Sequence, residues 1–214
     1  QNINNSEIKY FYGLMVGIKD IFNTSDMMTQ MGSEAWKNFS PGNDARIIHN
    51  LRKYSNIIAG KTKTAEFGIH AAPNSKNPHN TNYLPGTSSA GSAVAVASRM
   101  VPIALGSQTA GSTIRPSSYC GIFGMKPTFG TIPRVGVLKT SDSLDHITFM
   151  TNSINDLDIA FETLRVRGSN YPLVNKFIDN GKNNYVNLSK IKIGFVKTHT
   201  WDNAEVYTRE NINN

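Results

Sequence analysis

Cysteine is nearly absent: Cys120 is the one example in 214 residues. A lone thiol excludes an internal disulfide and fits a reducing compartment, so a cytoplasmic location is expected. Long apolar runs are missing as well. No window approaches the roughly 20 apolar residues that cross a bilayer, and the opening QNINNSEIKY lacks the charged and apolar segments of a secretory leader. Membrane partners are therefore not expected. The histidines, at positions 49, 70, 79, 146 and 199, show no metal-ligand spacing, so no metal is expected. No serine sits in a G-x-S-x-G frame, which removes the α/β-hydrolase elbow, and no histidine-based triad can be assembled. The 22 basic and 15 acidic residues give a net charge of +7, but the basic residues are scattered, with no Lys/Arg run and interleaved aromatics. Nucleic-acid binding is not expected from such a pattern.

With 39% hydrophobic and 17% charged residues, the composition is that of a globular chain large enough to bury one core. The absence of an initial Met and the ending ENINN read as a segment of something longer, so residues 1–214 are taken as a single partial domain. GLMVGIKD, residues 13–20, reads as a buried strand whose end carries Lys19 out of the sheet. NDARIIHNLRKYS places Ile47, Ile48, Leu51 and Tyr54 at helical spacing, and IIAGKT follows as a second buried strand. Residues 71–85, rich in Pro, Asn and Ser, form a long loop. Ala90 to Met100 reads as an interior helix of small residues, Val101 to Leu105 as a strand, SINDLDIAFETL as an amphipathic helix and KIKIGFV as a last strand. Strands alternating with helices predict an α/β fold: a mixed, mostly parallel central sheet covered by helices on both faces.

PGTSSAGSAVAVA, residues 85–97, demands a choice between tether, phosphate cradle and catalytic loop. Gly86 and Gly91 have the P-loop spacing, but Ser92 stands where the lysine that contacts the β/γ-phosphates is needed. A tether would not run directly into so apolar a helix. The S-x-x-K pair Ser6 and Lys9 has no supporting motif and reads as chance.

Taken whole, GTSSAGSAVAVASRMVPIALGSQTAGSTIRPSSYCGIFGMKPTFG closely resembles the signature segment of the amidase signature family. GLMVGIKDIF resembles that family's Gly-Ile-Pro-x-x-x-Lys-Asp segment, AGKTKTAEFG its Gly-Lys-Thr-x-x-x-Glu-Phe segment, and SDSLDHITFM its Ser-Leu-Asp segment. The resemblance runs from about Gly13 to Leu164, residues 165–214 being the start of a following region. Carried over by position, the family's serine, cis-serine and lysine triad falls on Ser112, Ser88 and Lys19, and 24 positions separate the two serines, as in the family. The resemblance implies a nucleophilic Ser112, a bridging Ser88 joined to Thr87 by a cis peptide, and Lys19 as terminal base. The chemistry agrees, since a serine hydroxyl needs a base to take its proton, and a lysine serves only when burial lowers its pKa of about 10.4.

By the same resemblance, the backbone amides of Thr109, Ala110, Gly111 and Ser112 form the oxyanion hole, where Gly-rich chain lets successive N–H groups converge. Thr87, Ala90 and Ala110 stand where glycine is more common. Ser89 is expected to support by hydrogen bonding, Cys120 matches a structural position, Lys61 and Lys126 read as structural or as supporting the site from behind its reacting groups, and Asp145 as a buried hydrogen-bonding residue. Arg115 could reach a carboxylate on a small acidic amide or brace its own loop. The implied activity is that of an amidase: hydrolysis of a carboxylic amide to acid and ammonia or amine through a serine acyl-enzyme, with no metal or organic cofactor. Its expected partner is a small-molecule amide, with a homodimer allowed. The alternatives are the A subunit of the glutamyl-tRNA amidotransferase, from whose Asp-Thr-Gly-Gly-Ser-Ile-Arg form LGSQTAGSTIRP differs, and a catalytically silent scaffold.

Overall fold

The computed structural model describes residues 12–180, 189 and 191–213; Ser6, Lys9 and the first residue of KIKIGFV lie outside the described residues. Among the described residues five strands make one sheet: β1 (Met15–Lys19), β2 (Ile57–Thr62), β3 (Ile103–Gln108), β4 (Phe123–Met125) and β5 (His146–Thr151), in the order β2-β1-β3-β5-β4. β1 pairs in parallel with both β2 and β3, while β5 runs antiparallel to β3 and to β4. Four strands therefore share one direction and β5 alone is reversed. This is the mixed, mostly parallel sheet that the sequence predicts.

Side-chain alternation sorts the two faces. Val16 and Ile18 of β1, Ile103 and Leu105 of β3, and Ile147 and Phe149 of β5 enter the larger core. That core is closed by α1 (Arg46–Lys53) with Ile47, Ile48 and Leu51, and by a later amphipathic helix (Ile154–Leu164) with Leu157, Ala160 and Leu164. On the other face Ala104 and Met150 meet Ala93, Ala95 and Val96 of α2 (Ala90–Ala97). Small side chains are required there, because α2 presses onto the chain leaving β2: the Gly91 amide donates to the Lys63 carbonyl at 3.0 Å. A short helix, α3 (Ile114–Tyr119), follows the β3 loop, and α4 names the Ile154–Leu164 helix.

Three expectations change. The α2 helix stops at Ala97, before Met100, because Arg99 takes a left-handed conformation (φ 58°) and turns the chain into β3. IIAGKT is an edge strand, not a buried one, with Ile57 exposed. Residues 191–196 are not a strand and Ile193 is 90% exposed. Among the described residues their alternating apolar pattern finds no neighbouring strand to take its N–H and C=O groups, and strand character exists only through such pairing. Among the described residues no helix is long and apolar enough to cross a membrane.

Candidate active site

The topology gathers the motif residues at one end of the sheet. Lys19 closes β1, Ser107 and Gln108 close β3, Met125 closes β4, and the reversed β5 begins there with His146. Groups at the carboxyl ends of parallel strands are the usual place for a site in α/β folds.

Lys19 is fully buried. Its Nζ donates to Ser88 Oγ at 2.7 Å, Ser107 Oγ at 2.8 Å and Ser89 Oγ at 3.0 Å, so all three ammonium protons have neutral hydroxyl acceptors. Burial without an adjoining carboxylate pulls its pKa from 10.5 down to about 7, against a weaker upward pull from the Asp145 charge. Lys19 is thus poised between its two protonation states near neutrality. Ser88, itself fully buried, donates onward to the Gly68 carbonyl at 2.5 Å.

Ser112 is half-buried in the turn between β3 and α3 and lines a narrow cleft with Ser107, Thr109, Gly68 and Phe67. Its hydroxyl has no hydrogen-bond partner among the described residues, and it is not bonded to Ser88. The four amides of Thr109, Ala110, Gly111 and Ser112 are likewise without acceptors among the described residues, whereas the next two, of Thr113 and Ile114, both donate to Gln108 Oε1 at 2.8 and 2.9 Å. The implied cis peptide is corrected: no described peptide bond is cis, so Thr87–Ser88 is trans. A non-proline cis bond costs about 3 kcal/mol, and the trans chain already brings Ser88 to Lys19 and Gly68.

The loop that carries the free amides is held from two sides. Lys126 Nζ donates to the carbonyls of Thr109 and Leu144, each at 2.8 Å, and the Thr109 hydroxyl donates to Asp145 Oδ1 at 2.5 Å. Burial would raise the Asp145 pKa, but hydrogen bonds from Thr109, Ser141 and Thr140 hold it below the usual carboxylate range. His146 is buried, and burial, then the Arg134 and Lys126 charges, pushes it to about 4, leaving a neutral imidazole. Lys61 pairs with Asp20 at 3.0 Å and donates to Phe22 O and Thr29 Oγ1, pinning the chain after β1. Cys120 is buried, and burial raises its thiol to about 11. Arg115 is exposed, stands apart from the cleft lining and donates to Thr87 Oγ1 at 3.0 Å. No group of three or more metal-ligating side chains occurs among the described residues.

Sequence reasoning missed three contributors: Ser107, Arg134 and Lys139. Ser107 carried a signal, because pairing Ile18 with Leu105 brings Lys19 level with the end of β3. Arg134 and Lys139 line the cleft from a loop whose path no local pattern announces.

The model of the family described as Amidase matches residues 1–214, and the chain belongs to that family. It is similar to the glutamyl-tRNA(Gln) amidotransferase A subunit of Shouchella clausii, with 39% identity over 160 residues, covering 72% of this chain and 33% of that protein. The Thermus thermophilus counterpart is 37% identical over 158 residues, covering 71% and 34%. Among solved structures, the corresponding protein from Thermotoga maritima matches with a TM-score of 0.70 at 34% identity, covering 75% of this chain and 37% of that one. Native peptide amidase from Stenotrophomonas maltophilia matches with a TM-score of 0.70 at 30% identity, covering 76% and 35%. The chain spans about a third of the length of these relatives.

Proposed function

We propose that the protein cleaves the C–N bond of a carboxylic amide, with Ser112 as nucleophile, Ser88 as proton bridge and Lys19 as base. The observation that carries this reading is a buried lysine, shifted to about 7, hydrogen-bonded to Ser88 and to Ser107, the latter lining the same cleft as Ser112. In acylation, Ser112 Oγ turns toward Ser88 and attacks the carbonyl carbon as its proton passes to Ser88, whose own hydroxyl swings from the Gly68 carbonyl to give its proton to neutral Lys19. The oxyanion is received by amides of the Thr109–Ser112 turn, which have no acceptor of their own among the described residues. Collapse returns the proton to the departing nitrogen and leaves Ser112 acylated. Water, deprotonated along the same path, then releases the acid and restores the hydroxyl. Ser89 and Ser107 keep Lys19 in place and accept its protons.

Labelling the full-length protein with a fluorophosphonate tests the assignment. Ser112→Ala is expected to lose labelling, and Lys19→Ala to slow it by on the order of 10³, the usual worth of a general base. Undiminished labelling of Ser112→Ala sinks the nucleophile assignment, and an unlabelled parent protein favours a scaffold. Likeness to the amidotransferase proteins supports a second reading, in which the ammonia passes to a partner protein that works on charged tRNA. Glutamine-dependent transamidation with added partner proteins, and none without them, would establish it over free hydrolysis. A cytoplasmic location, a small-molecule substrate and a homodimer remain parts of the main reading.

A further inference from the structure

The cleft that Ser112 lines is also lined by Arg134, Lys139 and Asp145. The carboxylate of Asp145 is already saturated: it accepts from the Thr109 and Thr140 hydroxyls and from the amides of Thr140 and Ser141. The two cations are not. Arg134 is held by its Nη1, which donates to the carbonyls of Asp142 at 2.8 Å and Asp145 at 3.0 Å, and by the Phe129 ring lying 4.5 Å from its Cζ. Nη2 makes one longer bond to Asp142 Oδ1 at 3.3 Å. The Nε–H and the second Nη2–H have no partner among the described residues, so a fixed guanidinium retains two donors. Among the described residues Lys139 has a single long contact, 3.6 Å to Asp142, whose side chain is 82% exposed and therefore strongly screened.

We propose, building on the amidase reading, that Arg134 and Lys139 make this cleft selective for amides whose acyl chain ends in a carboxylate. The substrate class is the half-amide of a linear dicarboxylic acid, its carboxamide at Ser112 and its far carboxylate between the two cations. Phe67, Val137 and Leu138 add apolar lining to the cleft, which suits an unbranched methylene chain. Arg115, bonded to Thr87 and apart from the cleft, takes no part in this recognition.

The test compares kcat/KM of the full-length protein for succinamate and glutaramate with that for butyramide and pentanamide, their uncharged counterparts. The charged amides are expected to lead by at least about tenfold, a modest return for charge-assisted hydrogen bonds. That lead should shrink as salt is added. Lys139→Met is expected to cut the ratio by about tenfold, and Arg134→Lys, which keeps the charge but loses the planar fork, to lower it as well. Lys53→Met, an exposed charge on α1, serves as the control and should leave the ratio where it was. A parent ratio near one, or a ratio that Lys139→Met does not move, overturns the proposal. Calorimetric titration of Ser112→Ala with succinamate and butyramide reads the same preference without turnover. If no amide is cleaved and Ser112 is not labelled, the amidase reading fails by itself, and tighter succinamate binding lost in Lys139→Met still upholds the carboxylate site.

Discussion

Lys19 illustrates how one residue can be both the cost and the tool of a site. Its folded pKa of about 7 lies below the 10.5 of an exposed lysine, so the folded protein binds fewer protons than the unfolded chain between those values. Stability contributed by this group therefore rises with pH from about 7 to 10.5 and is weakest below pH 7, where folding must bury a charge. Measured as Tm at pH 7 and pH 9, the parent protein should gain relative to Lys19→Met, in which this linkage is gone. Equal shifts in both proteins would mean that Lys19 titrates as an ordinary exposed lysine. In the proposed mechanism the same pKa sets activity: only neutral Lys19 can take the proton from Ser88, so kcat/KM is expected to rise about tenfold per pH unit up to about 7 and then level. A profile that increases toward pH 5 would exclude Lys19 as the base.

At the scale of elements, the alanine-rich helix α2 holds Ser88 and Ser89 against Lys19. Its contact with the chain after β2 leaves no room: a Cβ on Gly91 would lie 2.5 Å from the Lys63 nitrogen and against its carbonyl oxygen. Both are main-chain atoms that cannot swing aside. Gly91→Ala should therefore push the helix off the sheet and destabilise by about 1–3 kcal/mol or more, lowering Tm and slowing Ser112 labelling together. A variant with parental Tm would show that α2 can slide without loss. The small residues of this helix were legible in the sequence as a demand for close packing, as were Lys19 and the Gly-Ser turns, because each lies in a short contiguous motif. Residues 191–196 were misread for the opposite reason: their strand pattern is local, but a strand needs a partner, and pairing is decided elsewhere in the chain. Arg134 and Lys139 belong to the same class of information, since their position follows from where the loop before β5 crosses the sheet end and not from their neighbours in sequence.

For the whole molecule, the decisive arrangement is that two separate stretches converge on the turn after β3. Lys126, just past β4, binds the Thr109 carbonyl, while Asp145, just before β5, binds the Thr109 hydroxyl. In a planar peptide the N–H points away from the carbonyl, so fixing the Thr109 oxygen also fixes the direction of the Ala110 N–H. The antiparallel β3-β5-β4 half of the sheet thereby orients the amides that the proposed mechanism offers to an oxyanion, while the parallel β2-β1-β3 half delivers Lys19 and holds α2. Lys126 is in this view a positioning residue, acting through Thr109 and not on the substrate. Lys126→Met should lower kcat by about 10- to 100-fold with KM changed by no more than about twofold, because the lost alignment matters most when negative charge develops. Affinity for an aldehyde inhibitor that forms a tetrahedral adduct with Ser112 should fall in parallel with kcat/KM, and Lys126→Arg, which can still donate to the Thr109 carbonyl, should recover part of both. A purely structural lysine would instead lower Tm and the amount of active protein while leaving the kcat of the folded fraction and its inhibitor affinity intact, which is the outcome that would refute the role.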